Sequence, residues 1–272
     1  MSLKNKTIAF LGAGNMGEAL IRGLLAAKTV APLQIVATDV RPERLDDLAK
    51  SFGIRTIGDN VRAVADADIV LLAVKPQQMS AVLAPLKSVT SDHRLFVSIA
   101  AGVTTARIES ELGGKAHVVR VMPNTPALVG AGAAALAKGA YATDEDLATA
   151  EAILGAVGIT VRIEEKFIDA VTALSGSGPA YVFYVTEAMI MAGVATGLDE
   201  ALARKLAIQT VYGAAKLLVE SGEEPESLRR KVTSPGGTTE AALKVMSERK
   251  LAEIFAEAIQ AAERRSRELS GS

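Results

Sequence analysis

Up to residue 163 the chain repeats one pattern, a short apolar and largely β-branched run followed by a longer segment with apolar residues at helical spacing. The runs are Thr7 to Leu11, Gln34 to Thr38, Ile69 to Val74, Leu95 to Ile99 and His117 to Met122. Such alternation predicts a parallel sheet covered on both faces, because parallel neighbours must be joined by crossovers that carry the chain over a face. Two further runs, Ala133 to Ala137 and Ile159 to Ile163, extend the sheet around a helix near Asp144 to Val157. After Glu164 the strand pattern stops. Residues 167–174, 180–195, 202–219 and 251–269 read as helices, and in the last Leu251, Ile254, Phe255, Ala258, Ile259 and Ala262 share one face. The expectation is two domains, 1–164 with the sheet and 165–272 without one, which suits a chain of 272 residues.

Composition removes several classes of chemistry. The chain has no cysteine, so thiolate nucleophiles, disulfides and Cys-ligated metals are excluded. It has two histidines, His93 and His117, and the second lies inside an apolar run, so no metal site or Ser-His-Asp triad is expected. Thirty basic residues against 31 acidic ones leave no basic surface, and no nucleic-acid partner is expected. The chain shows no apolar run of membrane-spanning length, so no membrane partner is expected either. The opening Met1-Ser2-Leu3-Lys4-Asn5-Lys6 leads straight into the first strand without a secretory pattern, so a cytoplasmic protein is expected.

The first strand runs into Gly12-Ala13-Gly14-Asn15-Met16-Gly17 and then a helical segment. Gly12 permits the tight turn, Gly14 lets backbone approach a pyrophosphate, and Gly17 lets helix and strand pack closely. The phosphates would sit on the helix N-terminus. Between a first strand and a first helix, this pattern predicts a Rossmann-type doubly wound domain that binds a dinucleotide.

About 20 residues beyond Gly17 the second strand ends in Thr38-Asp39-Val40-Arg41. Asp39 suits a ribose 2′-hydroxyl and NADH, whereas Arg41 suits a 2′-phosphate and NADPH. The alternative is that Asp39 caps the next helix and Arg41 is solvated. Three more loops leave the carboxyl ends of strands, where open sheets bind ligands: Val74-Lys75-Pro76-Gln77, Ser98-Ile99-Ala100-Ala101-Gly102 and Met122-Pro123-Asn124-Thr125-Pro126. The paired prolines hold the last loop extended and suit a polar Asn124 aimed at a nicotinamide, the alternative being plain punctuation.

In the second half, Leu174-Ser175-Gly176-Ser177-Gly178-Pro179 ends one helix and starts another, with more small residues than capping requires. Val232-Thr233-Ser234-Pro235-Gly236-Gly237-Thr238-Thr239-Glu240 precedes a helix expected near Ala241. Exposed amides at a helix start, joined by hydroxyls, suit a substrate carboxylate, where a pure cap needs one hydroxyl.

Together these motifs, with Asp169 to Ala180 as a whole, resemble the pyrroline-5-carboxylate reductase family over nearly the whole chain. The resemblance implies reduction of Δ1-pyrroline-5-carboxylate to L-proline by NADPH or NADH, the last step of proline biosynthesis. It implies an all-α dimerisation domain after the sheet, and hence a homodimer or an assembly of dimers, a decamer among them. It places the Thr239 hydroxyl at the imine nitrogen, and Ser234, Gly236, Gly237, Thr238 and Ser175 on the substrate. Gly12, Gly14, Asn15, Met16, Gly17, Asp39 and Arg41 fall to the cofactor, as do Val74, Lys75, Pro76, Ala100 and Asn124, although the family varies at the end of the second strand and gives Asp39 and Arg41 no preference between the nucleotides. Two other readings stay open. A β-hydroxyacid dehydrogenase would need a Lys between Pro179 and Ala195, where none occurs, and a non-enzymatic NAD(P)-binding module would have no use for the hydroxyls at 234–239.

Overall fold

The computed structural model describes residues 3–91 and 93–271; Met1 and Ser2 of the opening segment lie outside the described residues. The chain forms two compact units, Met1–Ser177 together with Ala262–Ser272, and Gly178–Ala261.

In the first unit, β1 (Ile8–Leu11), β2 (Ile35–Thr38), β3 (Arg55–Thr56), β4 (Ile69–Leu72), β5 (Leu95–Ser98), β6 (His117–Met122), β7 (Gly132–Lys138) and β8 (Gly158–Arg162) form one sheet. Their order is β3-β2-β1-β4-β5-β6-β7-β8. Helices α1 (Asn15–Ala26), α2 (Pro42–Phe52), α3 (Asn60–Ala65), α4 (Met79–Leu83), α5 (Thr105–Leu112) and α6 (Asp144–Leu154) connect the strands. The strand β1 is buried throughout, with Ile8 and Phe10 in one hydrophobic cluster and Ala9 and Leu11 in the other. Period-two alternation sends successive side chains to opposite faces, so both faces are covered.

One pairing departs from the parallel sheet expected from the sequence. The β7 strand runs antiparallel to β6. Residues 123–131 join them, a link too short for the crossover that a parallel neighbour needs. The β8 strand pairs parallel to β7 after the α6 crossover. The chain reverses its direction of travel across the sheet between β1 and β4, which creates a crevice at their carboxyl ends.

After the sheet come α7 (Ile168–Val171), α8 (Gly178–Ala195), α9 (Glu200–Ser221), α10 (Pro225–Lys231), α11 (Thr238–Glu248) and α12 (Leu251–Ser270). The break expected at 174–180 takes the form of a π-helical turn, Thr172–Gly176, closed by the Ser177 amide on the Thr172 carbonyl at 2.8 Å, after which α8 starts at Gly178. Across this uncharged stretch, the helical run 165–195 holds one window long and apolar enough to cross a membrane, which the sequence reading did not expect.

The last turns of α12 belong to the first unit. The Ser266 hydroxyl donates to Asp169 at 2.6 Å, and a Cβ on Gly102 would lie 3.2 Å from the Leu269 carbonyl oxygen.

Candidate active site

The turn after β1 is shaped by what surrounds each glycine. Gly12 has φ +91° and donates its amide to the Thr38 carbonyl at 3.0 Å. A Cβ there would lie 2.7 Å from the Ala73 carbonyl oxygen, and one on Gly17 would lie 2.9 Å from that of Gly12. Gly14, the N-cap of α1, differs: a Cβ on it would meet nothing within 4 Å. Two glycines therefore serve packing, and the third keeps open space in front of the helix N-terminus. The Asn15, Met16 and Gly17 amides face no acceptor among the described residues, as the first turn of a helix requires. These are the features a pyrophosphate needs, so the turn fits a dinucleotide.

Arg44 of α2 holds this turn from outside. Its Nε donates to the Ala13 carbonyl at 2.8 Å, and its guanidinium pairs with Glu18, which also pairs with Arg22. The Arg44 bond, chiefly, holds the Glu18 carboxyl below the usual range. No motif marks Arg44, and only the fold brings it to residue 13.

Asp39 and Arg41 form a pair. Arg41 donates to Asp39 from its amide at 3.1 Å and from Nε at 3.0 Å, and the Ala13 amide reaches the same carboxylate at 3.2 Å. Asp39 does not cap α2, whose N-cap is Arg41 with no side-chain bond. Burial, the largest influence, pushes its carboxyl up, but the bonds from Arg41 and Ala13 outweigh it and leave the group below its ordinary value. The Asp39 side chain is 8% exposed and that of Arg41 56%, so the carboxylate is fixed while the guanidinium fronts solvent.

Val74, Lys75 and Pro76 follow β4 at the reversal point. Pro76 opens a short 3-10 turn, and Lys75 is extended, exposed and without an ion-pair partner among the described residues. Ala100 is buried behind β5. Asn124 and Ser175, 51 residues apart in sequence, meet: Asn124 Nδ2 lies 3.2 Å from Ser175 Oγ and 3.3 Å from its carbonyl oxygen.

In the second unit, α11 starts at Thr238, earlier than the sequence reading places it, because Gly237 is extended and serves as N-cap without a side-chain bond. Ser234 to Gly237 is a turn closed by the Gly237 amide on the Ser234 carbonyl at 3.0 Å, with Gly236 at φ +71°. The Ser234, Thr238 and Thr239 hydroxyls and the Thr238, Thr239 and Glu240 amides make no hydrogen bonds among the described residues. Glu240 is not among the site residues expected from the sequence, and its carboxylate accepts the Gly236 amide at 2.8 Å. Its place three residues after the N-cap is the signal that identifies such a residue. The cofactor-type residues and Ser175 thus lie in the first unit, and residues 234–239 in the second.

Comparison with known proteins decides the family. Residues 165–269 match the model for pyrroline-5-carboxylate reductase dimerisation, and residues 7–102 match that for NADP oxidoreductase, coenzyme F420-dependent. The chain is 45% identical to the pyrroline-5-carboxylate reductase of Methanosarcina acetivorans, over 98% of this chain and 99% of that one. The chain belongs to the pyrroline-5-carboxylate reductase family. The Coxiella burnetii reductase structure superposes with a TM-score of 0.94 at 40% identity, covering 98% of this chain and 99% of that one. The Plasmodium falciparum pyrroline carboxylate reductase, solved with NADP bound, gives 0.86 at 30% identity over 98% and 99%.

This reductase is therefore an NAD(P)-dependent oxidoreductase with a Rossmann-type domain and an all-helical dimerisation domain, and it is a homo-oligomer. In residues 178–261 only Ala203 and Ala207 are buried, and Phe183, Tyr184 and Met191 are 62%, 74% and 73% exposed. Helix α8 is apolar on most sides, with Glu187 its one charged residue, which a dimerisation domain explains.

Proposed function

We propose that the chain reduces the C=N bond of Δ1-pyrroline-5-carboxylate, forming L-proline, with the uncapped start of α11 as its substrate anchor. That helix start carries the assignment: amides without acceptors stand beside three hydroxyls without partners among the described residues. Ser234 and Thr238 give hydroxyl bonds to the carboxylate, and the Thr238, Thr239 and Glu240 amides that follow Gly237 add the partial positive charge of the helix end. Ser175 is a further donor to the substrate.

NAD(P)H would be held on the α1 turn and along Asp39, Arg41, Val74 to Pro76 and Ala100, and would supply the hydride that the ring carbon accepts. Reduction leaves a proton to be placed on nitrogen. The Thr239 hydroxyl donates a hydrogen bond at that atom and passes on a water proton, since a Thr hydroxyl is too weak an acid to give its own near neutral pH. Orientation of the reactants, rather than a strong acid, supplies most of the acceleration. Helix α8 contains no Lys, the group a hydroxyacid dehydrogenase would use there. We place the enzyme in the cytoplasm as an assembly of dimers, a decamer among the candidates.

A spectrophotometric assay of NADPH consumption with pyrroline-5-carboxylate tests the reading, and a protein that binds NADPH without turnover would be a sensing module instead. Thr239→Val keeps the shape and removes the hydroxyl. Its kcat should fall at least about tenfold, equivalent to about 1.4 kcal/mol, with NADPH affinity unchanged.

A further inference from the structure

Asn124 stands where a nicotinamide ligand is expected, but its amide is engaged at both ends. Oδ1 accepts the Ala133 amide at 2.8 Å. A backbone N–H is a donor only, so this contact fixes the orientation of the side chain and turns Nδ2 toward Ser175. Nδ2 then faces two acceptors of one residue, the Ser175 carbonyl at 3.3 Å and its hydroxyl at 3.2 Å.

The need for that donor is written in the sequence. An ordinary helix would satisfy the Ser175 carbonyl with the amide four residues on, but residue 179 is proline and has no N–H. The helix register is already shifted there, by the π-helical bond from Ser177 to Thr172. The loop and the turn also pack closely: a Cβ on Gly176 would lie 2.5 Å from Met122 Cε. The prolines at 123 and 126 stiffen the loop that carries Asn124. A hydroxyl that accepts a bond from Asn124 keeps its own proton to donate elsewhere.

We infer that Asn124 is a positioning residue: it supplies the donor that Pro179 withholds, holds the π-helical turn, and aims the Ser175 hydroxyl as a donor toward substrate. The inference rests on the proposed reduction of pyrroline-5-carboxylate and assigns Asn124 an indirect part in it, in place of direct contact with the cofactor.

The experiment is a double-mutant cycle on the full-length enzyme with Asn124→Asp, Ser175→Ala and both together. Asn124→Asp keeps an acceptor for Ala133 and replaces the donor facing Ser175 with a charged acceptor. Each variant is measured for kcat and KM with pyrroline-5-carboxylate, and for NADPH affinity by fluorescence titration without substrate. The expected result is a loss of about tenfold in kcat/KM for each single variant and no more than about twofold further loss in the double. NADPH affinity should stay within about twofold throughout. Multiplying losses in the double variant would overturn the inference, as would unchanged kcat/KM in both singles. So would an Asn124→Asp enzyme that loses NADPH affinity about tenfold while Ser175→Ala keeps it. If Asn124→Asp does not fold, Ser175→Ala decides, because unchanged kcat/KM there removes the hydroxyl that Asn124 is held to aim. If the wild-type enzyme does not turn over pyrroline-5-carboxylate, the proposed function fails, and the NADPH affinity of Asn124→Asp still decides between ligand and positioning residue.

Discussion

Gly12 and Gly14 lie two positions apart, and a methyl group would harm each in a different way. At Gly12 it would meet both an unfavourable φ of +91° and the Ala73 carbonyl, so Gly12→Ala should destabilise the fold by about 2 kcal/mol or more. At Gly14 it would meet empty space, so thermal melting should show a loss of only about 0.5–1 kcal/mol, that of a poorer N-cap. NADPH titration of Gly14→Ala should nevertheless show affinity reduced at least about tenfold, because the methyl occupies the pyrophosphate approach. Equal affinity with wild type would take the pyrophosphate away from this turn. Asp39 carries a second residue-scale expectation. Removing its charge frees Arg41, so Asp39→Ser should shift the ratio of kcat/KM values toward NADPH over NADH, as steady-state kinetics with each nucleotide would show. A carboxyl held below its ordinary 3.8 adds stability above that pH and loses it as pH falls through the folded value. The gap in melting temperature between wild type and Asp39→Ser should therefore be open near neutrality and close below that pH.

At the scale of elements, the start of α11 combines a positive helix end with the carboxylate of Glu240. Glu240→Gln keeps an acceptor for the Gly236 amide and removes a negative charge from the proposed carboxylate site. A helix-end charge effect of about 0.3–1 kcal/mol corresponds to a KM for pyrroline-5-carboxylate lowered about two- to fivefold. An unchanged or higher KM would show that the carboxylate binds elsewhere. The same element shows what a sequence reveals. The hydroxyl-rich stretch is legible as a helix start, yet its first residue is read three positions late, because Ser and Thr weigh as caps when the cap is Gly237. Strands with buried β-branched runs are legible for the same reason they fold: nothing but burial suits them. The two-residue β3 has too few residues to show a period, and α10 escapes notice although Pro225 at its start and Arg229, Arg230 and Lys231 at its end are ordinary helix signals. The reversed direction of β7 follows from loop length, not from the strand. Arg44 on Ala13, and Asn124 on Ser175, are long-range pairs to which no local pattern points.

For the whole molecule, the helical domain offers its own chain almost no core. Exposed Phe183, Tyr184, Leu206, Tyr212, Ile254 and Phe255 need cover from a second copy, through an isologous and largely apolar contact in the range of about 2,000 Å² or more. Sedimentation at low micromolar protein should show a dimer or larger species with no dependence on concentration, and a folded, active monomer would contradict it. The return of α12 to the first unit carries one more consequence, for how the protein is made. Asp169 is synthesised 97 residues before the Ser266 that bonds to it, and the whole of Gly178–Ala261 is translated in between. The first unit therefore lacks this contact until the ribosome releases the C-terminus, and a stop codon anywhere before residue 262 takes a packing segment from that unit rather than merely shortening the helical domain.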